Sequence, residues 1–168
     1  MSTRRTFLSR SALAALAASL GLTSCKTTGA ATGSLGKRHN PNSRTGGPIT
    51  IATWDNRRAT ADSWDVLSKG GRALDAVERG AWVPEADPND TSVGYGGFPD
   101  RDGIVTLDAC IMDEKGNAGS VTFLQNILHP VSVARRVMEK TPHVLLSGEG
   151  ALQFALSEGF QKQNLLTD

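Results

Sequence analysis

The run Ser92–Asp113, SVGYGGFPDRDGIVTLDACIMD, constrains the fold more than any other part of the chain. Gly94, Gly96 and Gly97 crowd into four positions. Glycines so close together mark backbone that passes near something or takes a positive φ. Val105 to Met112 is too short and too rich in β-formers for a stable helix, and its alternation puts Val105, Leu107, Ala109 and Ile111 on one face. Asp108 is the one acidic residue inside it. Asp113 to Asn117 carries turn chemistry, and Ala118 to Phe123 reads as a second strand. The centre of the chain is therefore a β-hairpin with a glycine-rich entry. Spacing alone leaves open a tightly packed hairpin without chemistry.

The first 25 residues read as an address. Thr3-Arg4-Arg5-Thr6-Phe7-Leu8 is a twin-arginine pattern, and Ala12 to Leu22 is a short apolar stretch. That stretch is too short to span a bilayer, which takes ~20 apolar residues, and it fits the apolar region of a secretory signal. Leu22-Thr23-Ser24-Cys25 resembles the lipobox of bacterial lipoproteins, in which the cysteine is lipidated and becomes the mature N-terminus. The alternative is ordinary cleavage near Ala30, with Cys25 discarded. The expectation is export by the twin-arginine route to the periplasm, with a lipid anchor at Cys25 holding the protein to the membrane.

Residues 26–47 are rich in Gly, Ser, Thr, Asn and basic residues, with little to bury, and read as a flexible tether. His39 within it reads as solvated. The folded part is expected over 48–168, about 120 residues, enough for one domain. The formal net charge is +1, and part of the positive charge sits in signal and tether. With no basic stripe and no recognisable motif, nucleic acid is set aside. The only cysteines are Cys25 and Cys110, so neither a disulfide framework nor a C-x-x-C metal site can be built. Cys110, in mid-strand, is expected to be a buried small hydrophobe.

Elsewhere, Ile49 to Trp54 reads as a first strand with Trp54 at its mouth. There it caps a pocket or packs on an edge. Thr60 is placed as the cap of a helix over Ala61 to Lys69, ended by Gly70-Gly71. Ala73 to Gly80 reads as a second helix with Leu74 and Val77 inward and Asp75, Glu78 and Arg79 solvated. Pro84 to Asp90 reads as a polar loop. Pro130 suits the first position of a helix in which Val133, Val137 and Met138 face inward while Arg135, Arg136 and Lys140 stay wet. Val144 to Leu146 reads as a short buried strand, and His143 before it as structural. Ser147 to Gly150 leads into a helix ending at Gly159, with Glu149 where the helix dipole favours a carboxylate. The expected order is β-α-α-β-β-α-β-α, an α/β (α+β) fold whose sheet is at least partly antiparallel.

No complete catalytic site emerges from spacing. G-x-S-x-G, H-E-x-x-H, P-loop and dinucleotide fingerprints are all missing from the sequence. Read without any resemblance, the chain is an exported α/β domain. An exported ligand-binding lipoprotein or a structural interaction domain remains open beside an enzyme.

Several blocks taken together point further. Thr53-Trp54, Gly70–Gly80 (GGRALDAVERG), Ser92–Asp113, Ala118–Val121 (AGSV) and His129–Ala155 resemble, in order, the α-subunit of the glycosylasparaginases. These are amidohydrolases with an N-terminal nucleophile that also include the plant-type asparaginases. The resemblance covers essentially all of Ile49 to Asp168, and SVGYGGFPD resembles glycosylasparaginase more than the isoaspartyl type.

The resemblance implies an αββα sandwich and a precursor that cleaves itself before a threonine. The freed threonine is then the nucleophile and its α-amine the base, with no cofactor or metal. The substrate is the side-chain amide of asparagine, plain or N-glycosylated. It also implies that the second half of the precursor, the β-subunit, is a partner, with a homodimer of such αβ units as an option. Trp54 matches the aromatic wall of the substrate pocket, and Ser92 the serine beside the nucleophile. The nucleophile and the groups that hold the substrate's α-amino and α-carboxyl ends belong to the part of the family that follows the matched blocks. The chain is therefore expected to be signal, tether and most of an α-subunit, with no catalytic residue of its own and inactive alone. Asn89-Asp90-Thr91-Ser92 imitates the self-cleavage junction, but SVGYGGFPD directly after Thr91 matches the interior of the α-subunit. Thr91 is expected to be a decoy.

Overall fold

The helix expected after Thr60 begins one turn earlier. In the structure, a computed structural model that describes residues 46–167, α1 spans Arg57–Ser68 and Asn56 is its cap, accepting at Oδ1 from Ala59 N at 3.0 Å. Asn outranks Thr as an N-cap, and Thr60 instead bonds back to Arg57 O from inside the helix at 3.1 Å. Gly70 and Gly71 close the C-terminus through Gly70 N to Leu67 O and Gly71 N to Val66 O. The signal, residues 26–45 of the tether, Cys25 and His39 lie outside the described residues.

Helix α2 spans Ala73–Ala86 and takes in Pro84, where a loop was expected. Proline removes one ladder bond and normally breaks a helix interior. Here it sits in the last turn, and that turn is held from outside by the buried side chain of Glu85, which bonds into the next helix. Leu74 is inward as expected. Val77 is not, being 54% exposed, because the face it shares with Ala81 and Pro84 borders a cavity instead of the core.

The hairpin is present: β1 (Leu107–Met112) and β2 (Ala118–Leu124) pair antiparallel, and β3 (Leu145–Ser147) joins β2 in parallel, in the order β1-β2-β3. The turn is built by Asp113, whose Oδ1 accepts from the backbone N of both Lys115 and Asn117 at 2.9 Å. The predicted inward face holds, with Val105, Leu107 and Ile111 buried. Helix α3 (Pro130–Lys140) covers Ile111 with Val133, Ala134 and Val137, while Val105 and Leu107 pack in a second cluster with Leu165; Pro130 does occupy the first turn of α3. Helix α4 (Gly148–Ser157) adds Ala151, Leu152 and Ala155 to the same core.

The opposite face of the sheet accounts for two departures from expectation, and the lack of a pairing partner for a third. Cys110 is exposed, because alternation places it with Asp108 and Met112 away from the core. Val144 and Leu145 are exposed as well, since β3 is only three residues long and pairs on one side, leaving Leu146 alone to pack on the core. Ile49 to Trp54 forms no strand. Ile51 is 92% exposed, and the segment has no ladder partner among the described residues. High β-propensity does not make a strand without a neighbour to pair with. Among the described residues the order is thus α-α-β-β-α-β-α, mixed α/β with a three-stranded sheet.

Gly119 sets how closely α3 approaches β2. A Cβ there would lie 2.1 Å from Ala134 O and 2.6 Å from Met138 N, both backbone atoms. Gly119→Ala is therefore expected to cost about 3 kcal/mol, the upper end for overpacking. Gly116→Ala, at φ 84° in open space, meets only backbone strain and should cost about 1 kcal/mol. Thermal melts of the two variants check this; equal losses would contradict the close approach of β2 and α3.

Candidate active site

A cavity of 780 Å³ opens where four segments meet: the stretch before α1, the facing sides of α1 and α2, the loop Asp90–Val93, and β1 at Asp108. Trp54 and Ser92, distant in sequence, both line it. Trp54 is 83% exposed, so its ring is a wall and not part of the core.

The glycine-rich stretch delivers Ser92 there. Gly94 begins a single 3₁₀ turn (Gly94–Gly96) at φ 69°, and a Cβ on it would lie 2.0 Å from Glu85 O. A side chain at Gly96 would meet Asp90 O at 2.5 Å and Pro88 O at 2.6 Å. Only glycine lets the chain fold back this tightly on the end of α2. The loop is further knotted at Asp90, whose Oδ1 accepts from Ser92 N at 3.0 Å and Ser92 Oγ at 2.5 Å. With its proton donated to Asp90, the Ser92 hydroxyl has only acceptor capacity to offer elsewhere.

Asp108 was legible in the sequence as the lone acid of its strand, but not as part of a site. Its Oδ1 accepts from Thr122 Oγ1 at 2.7 Å and from Phe123 N at 2.8 Å. Those two bonds hold its carboxyl below the usual carboxylate range. They sit at a β-bulge: Leu107 pairs with Leu124 and Ala109 with Val121, so β2 carries an extra residue, and Phe123 takes φ 52°. The signal was a carboxylate on the outward face of an otherwise apolar strand, opposite a threonine.

Behind the cavity, charges expected to be solvated form the joint between α2 and α3. Arg135 Nη1 meets Asp75 at 2.7 Å and Glu78 at 2.6 Å, and its Nε meets Glu139 at 2.9 Å. Burial opposes the Arg135 charge, but its bonds to Glu139, Glu78 and Asp75 outweigh it and hold the guanidinium above its ordinary range. Glu78 also accepts from Ser132 Oγ at 2.7 Å, which in turn accepts from Trp82 Nε1 at 2.8 Å. Helical spacing could not reveal that a facing helix would cover these positions. Deeper still, buried Glu85 accepts from Val131 N at 3.0 Å, and its Oε2 lies 3.1 Å from His129 Nδ1. It thereby caps the N-terminus of α3 from another helix. His143, read as structural, is exposed and away from the cavity lining.

Among the described residues, no group of three or more His, Cys, Asp or Glu could hold a metal ion. The arrangement offers an aromatic wall, an acceptor hydroxyl and a stapled carboxylate around one opening.

The family model described as Asparaginase matches residues 8–168. The chain is 64% identical over 121 residues to the N(4)-(beta-N-acetylglucosaminyl)-L-asparaginase of Elizabethkingia miricola, an alignment covering 71% of this chain and 36% of that protein. It is 46% identical over 121 residues to the mouse protein of the same name, covering 71% and 35%. It is 41% identical over 115 residues to the isoaspartyl peptidase/L-asparaginase of Rattus norvegicus, covering 66% and 34%. The chain belongs to the asparaginase family that includes the glycosylasparaginases, as its sequence blocks indicated. It spans about one third of the length of the curated relatives it matches.

Burial pushes the Glu85 carboxyl above its ordinary value, with the bonds from His129 and Val131 pulling it partly back. A carboxyl raised in the folded state contributes stability below its unfolded pKa of ~4.3 and loses it as pH rises through the folded value. Glu85→Gln keeps an acceptor for Val131 N and removes that titration. It is expected to gain on the wild type as pH rises from about 4 to 7. Glu85→Ala leaves the N-terminus of α3 uncapped and should cost about 2–3 kcal/mol. Melting temperatures across this range check both; equal damage from Gln and Ala would contradict the capping role.

Proposed function

We propose that the chain is the N-terminal part of an exported amide hydrolase that cleaves the side-chain amide of asparagine, plain or N-glycosylated. The observation that carries this is the family match together with the convergence of Trp54 and Ser92 on one cavity. The names of the relatives, glycosylasparaginases and isoaspartyl peptidase/L-asparaginases, supply the substrate class.

In this reading the nucleophile is an N-terminal threonine, freed by self-cleavage beyond Asp168, and the second part of the precursor is the partner of this one. The threonine Oγ attacks the amide carbon while its α-amine, with an ordinary pKa of ~7.7–8.0, takes the hydroxyl proton. The C–N bond breaks, the leaving nitrogen takes a proton and departs as ammonia or a glycosylamine, and water hydrolyses the acyl ester. Trp54 walls the substrate and excludes water on one side. Ser92, its proton held by Asp90, serves as an acceptor beside the nucleophile. The αββα sandwich belongs to the same reading. The outward sheet face, with Cys110, Met112 and Leu145 exposed, supports a second layer against it.

The twin-arginine pattern and Leu22-Thr23-Ser24-Cys25 support export and lipid anchoring in the periplasm, with residues 1–25 as signal and 26–47 as tether. Lipid carried on Cys25 together with a further acyl chain gives stable anchoring. Labelling with a clickable fatty acid should mark the wild type and not Cys25→Ala; equal labelling would remove the anchor.

The catalytic reading is tested on protein expressed from the complete gene, assayed for release of aspartate from L-asparagine and from glycosylasparagine. Hydrolysis of either substrate is expected. Trp54→Ala should lose roughly tenfold or more in kcat/KM, with the melting temperature nearly unchanged because the ring is exposed. No hydrolysis, or an unaltered kcat/KM in the variant, would contradict the assignment.

A further inference from the structure

Phe123 is an aromatic residue with a positive φ of 52°, a backbone conformation that a bulky side chain rarely adopts without something to hold it. The holder is on the neighbouring strand. Both groups that stabilise the bulge, Thr122 Oγ1 and Phe123 N, donate to the same oxygen of Asp108, at 2.7 and 2.8 Å. Asp108 also lines the cavity that holds Trp54 and Ser92. The half-exposed Phe123 ring reaches the start of α4, where a Cβ on Gly148 would lie 3.8 Å from it. The bulge therefore lies between the cavity wall on β1 and the junction of β3 with α4. Nothing in the core demands it: the inward residues Leu107, Val121 and Leu124 are fully packed on either side of the register shift.

We propose that Asp108 is a positioning residue for the amide hydrolysis, pinning the Thr122–Phe123 bulge so that the β1 wall of the cavity stays in place. The role requires an acceptor oxygen at that site and not a negative charge. Its two donors are a hydroxyl and a backbone N–H. The depressed carboxyl pKa agrees with those bonds, since both favour the ionised form. Bulges are over-represented beside active sites because they re-aim a strand locally. A small displacement of a cavity wall is enough to cost two orders of magnitude in rate.

The proposal rests on the amide-hydrolase reading, and its test separates the two. Protein from the complete gene is prepared as wild type, Asp108→Ala, Asp108→Asn and Thr122→Val. Two readouts are taken: kcat and KM for L-asparagine, and hydrogen exchange of the Phe123 amide. Asp108→Ala is expected to lose roughly ten- to a hundredfold in kcat/KM and the protection of the Phe123 amide. Asp108→Asn, which retains an acceptor oxygen, should recover most of both. Thr122→Val loses one bond of two and should fall between wild type and Asp108→Ala. If Asp108→Ala does not fold, the order wild type, Asp108→Asn, Thr122→Val in amide protection still decides. An Asn variant as poor as Ala, or a Phe123 amide equally protected in every variant, would overturn the staple. A wild type that is inactive on asparagine amides would overturn the hydrolase reading and with it the catalytic role of Asp108, while the exchange rates would still decide whether the staple exists.

Discussion

The buried carboxylate of Glu85 is the joint on which the arrangement of this domain depends. Its side chain caps α3 at Val131 and meets His129, while its own backbone carbonyl is the surface on which Gly94 folds back. One residue thus fixes the end of α2, the start of α3 and the path of the glycine-rich loop. Burying a carboxylate is costly unless its oxygens are bonded, and here each oxygen has a partner. The Arg135 cluster extends the same seam along the two helices, and every buried side-chain polar atom among the described residues finds a hydrogen bond.

From that joint the site follows by geometry. The turn at Gly94–Gly96 returns the chain so that Asp90 and Ser92 face α1 and α2. Gly80, packed under Ser63 and Ala59, lets α2 approach α1 closely, and Val77 and Pro84 on the same helix line the opening. The hairpin supplies the remaining wall through Asp108. The core face of the sheet carries stability, while the other face carries the polar groups and the bulge.

Much of this was legible in the chain. The alternation in Val105–Ile111, the turn residues of Asp113–Asn117 and Pro130 at a helix start are local signals, and all three are present in the structure. The crowding of Gly94 and Gly96 likewise announced close backbone contacts. What was not legible depended on neighbours. Pro84 remains helical because of Glu85's distant partners, and Arg135 is covered because α2 lies over it. Cys110 and Val77 are exposed because their faces meet a cavity or no cover among the described residues. Ile49–Trp54 has strand propensity but no pairing partner there. Of the site, Trp54 and Ser92 came from family resemblance and share a cavity. Asp108 could not be assigned, since its role arises from a bulge on the opposite strand.

The central claim is that this domain is the N-terminal part of a hydrolase activated by its own cleavage. Intact mass and N-terminal sequencing of protein purified from the complete gene test it most directly. Two fragments are expected, the second beginning at a threonine beyond residue 168. A fragment beginning at Thr91, or an uncleaved chain that hydrolyses asparagine amides, would contradict it.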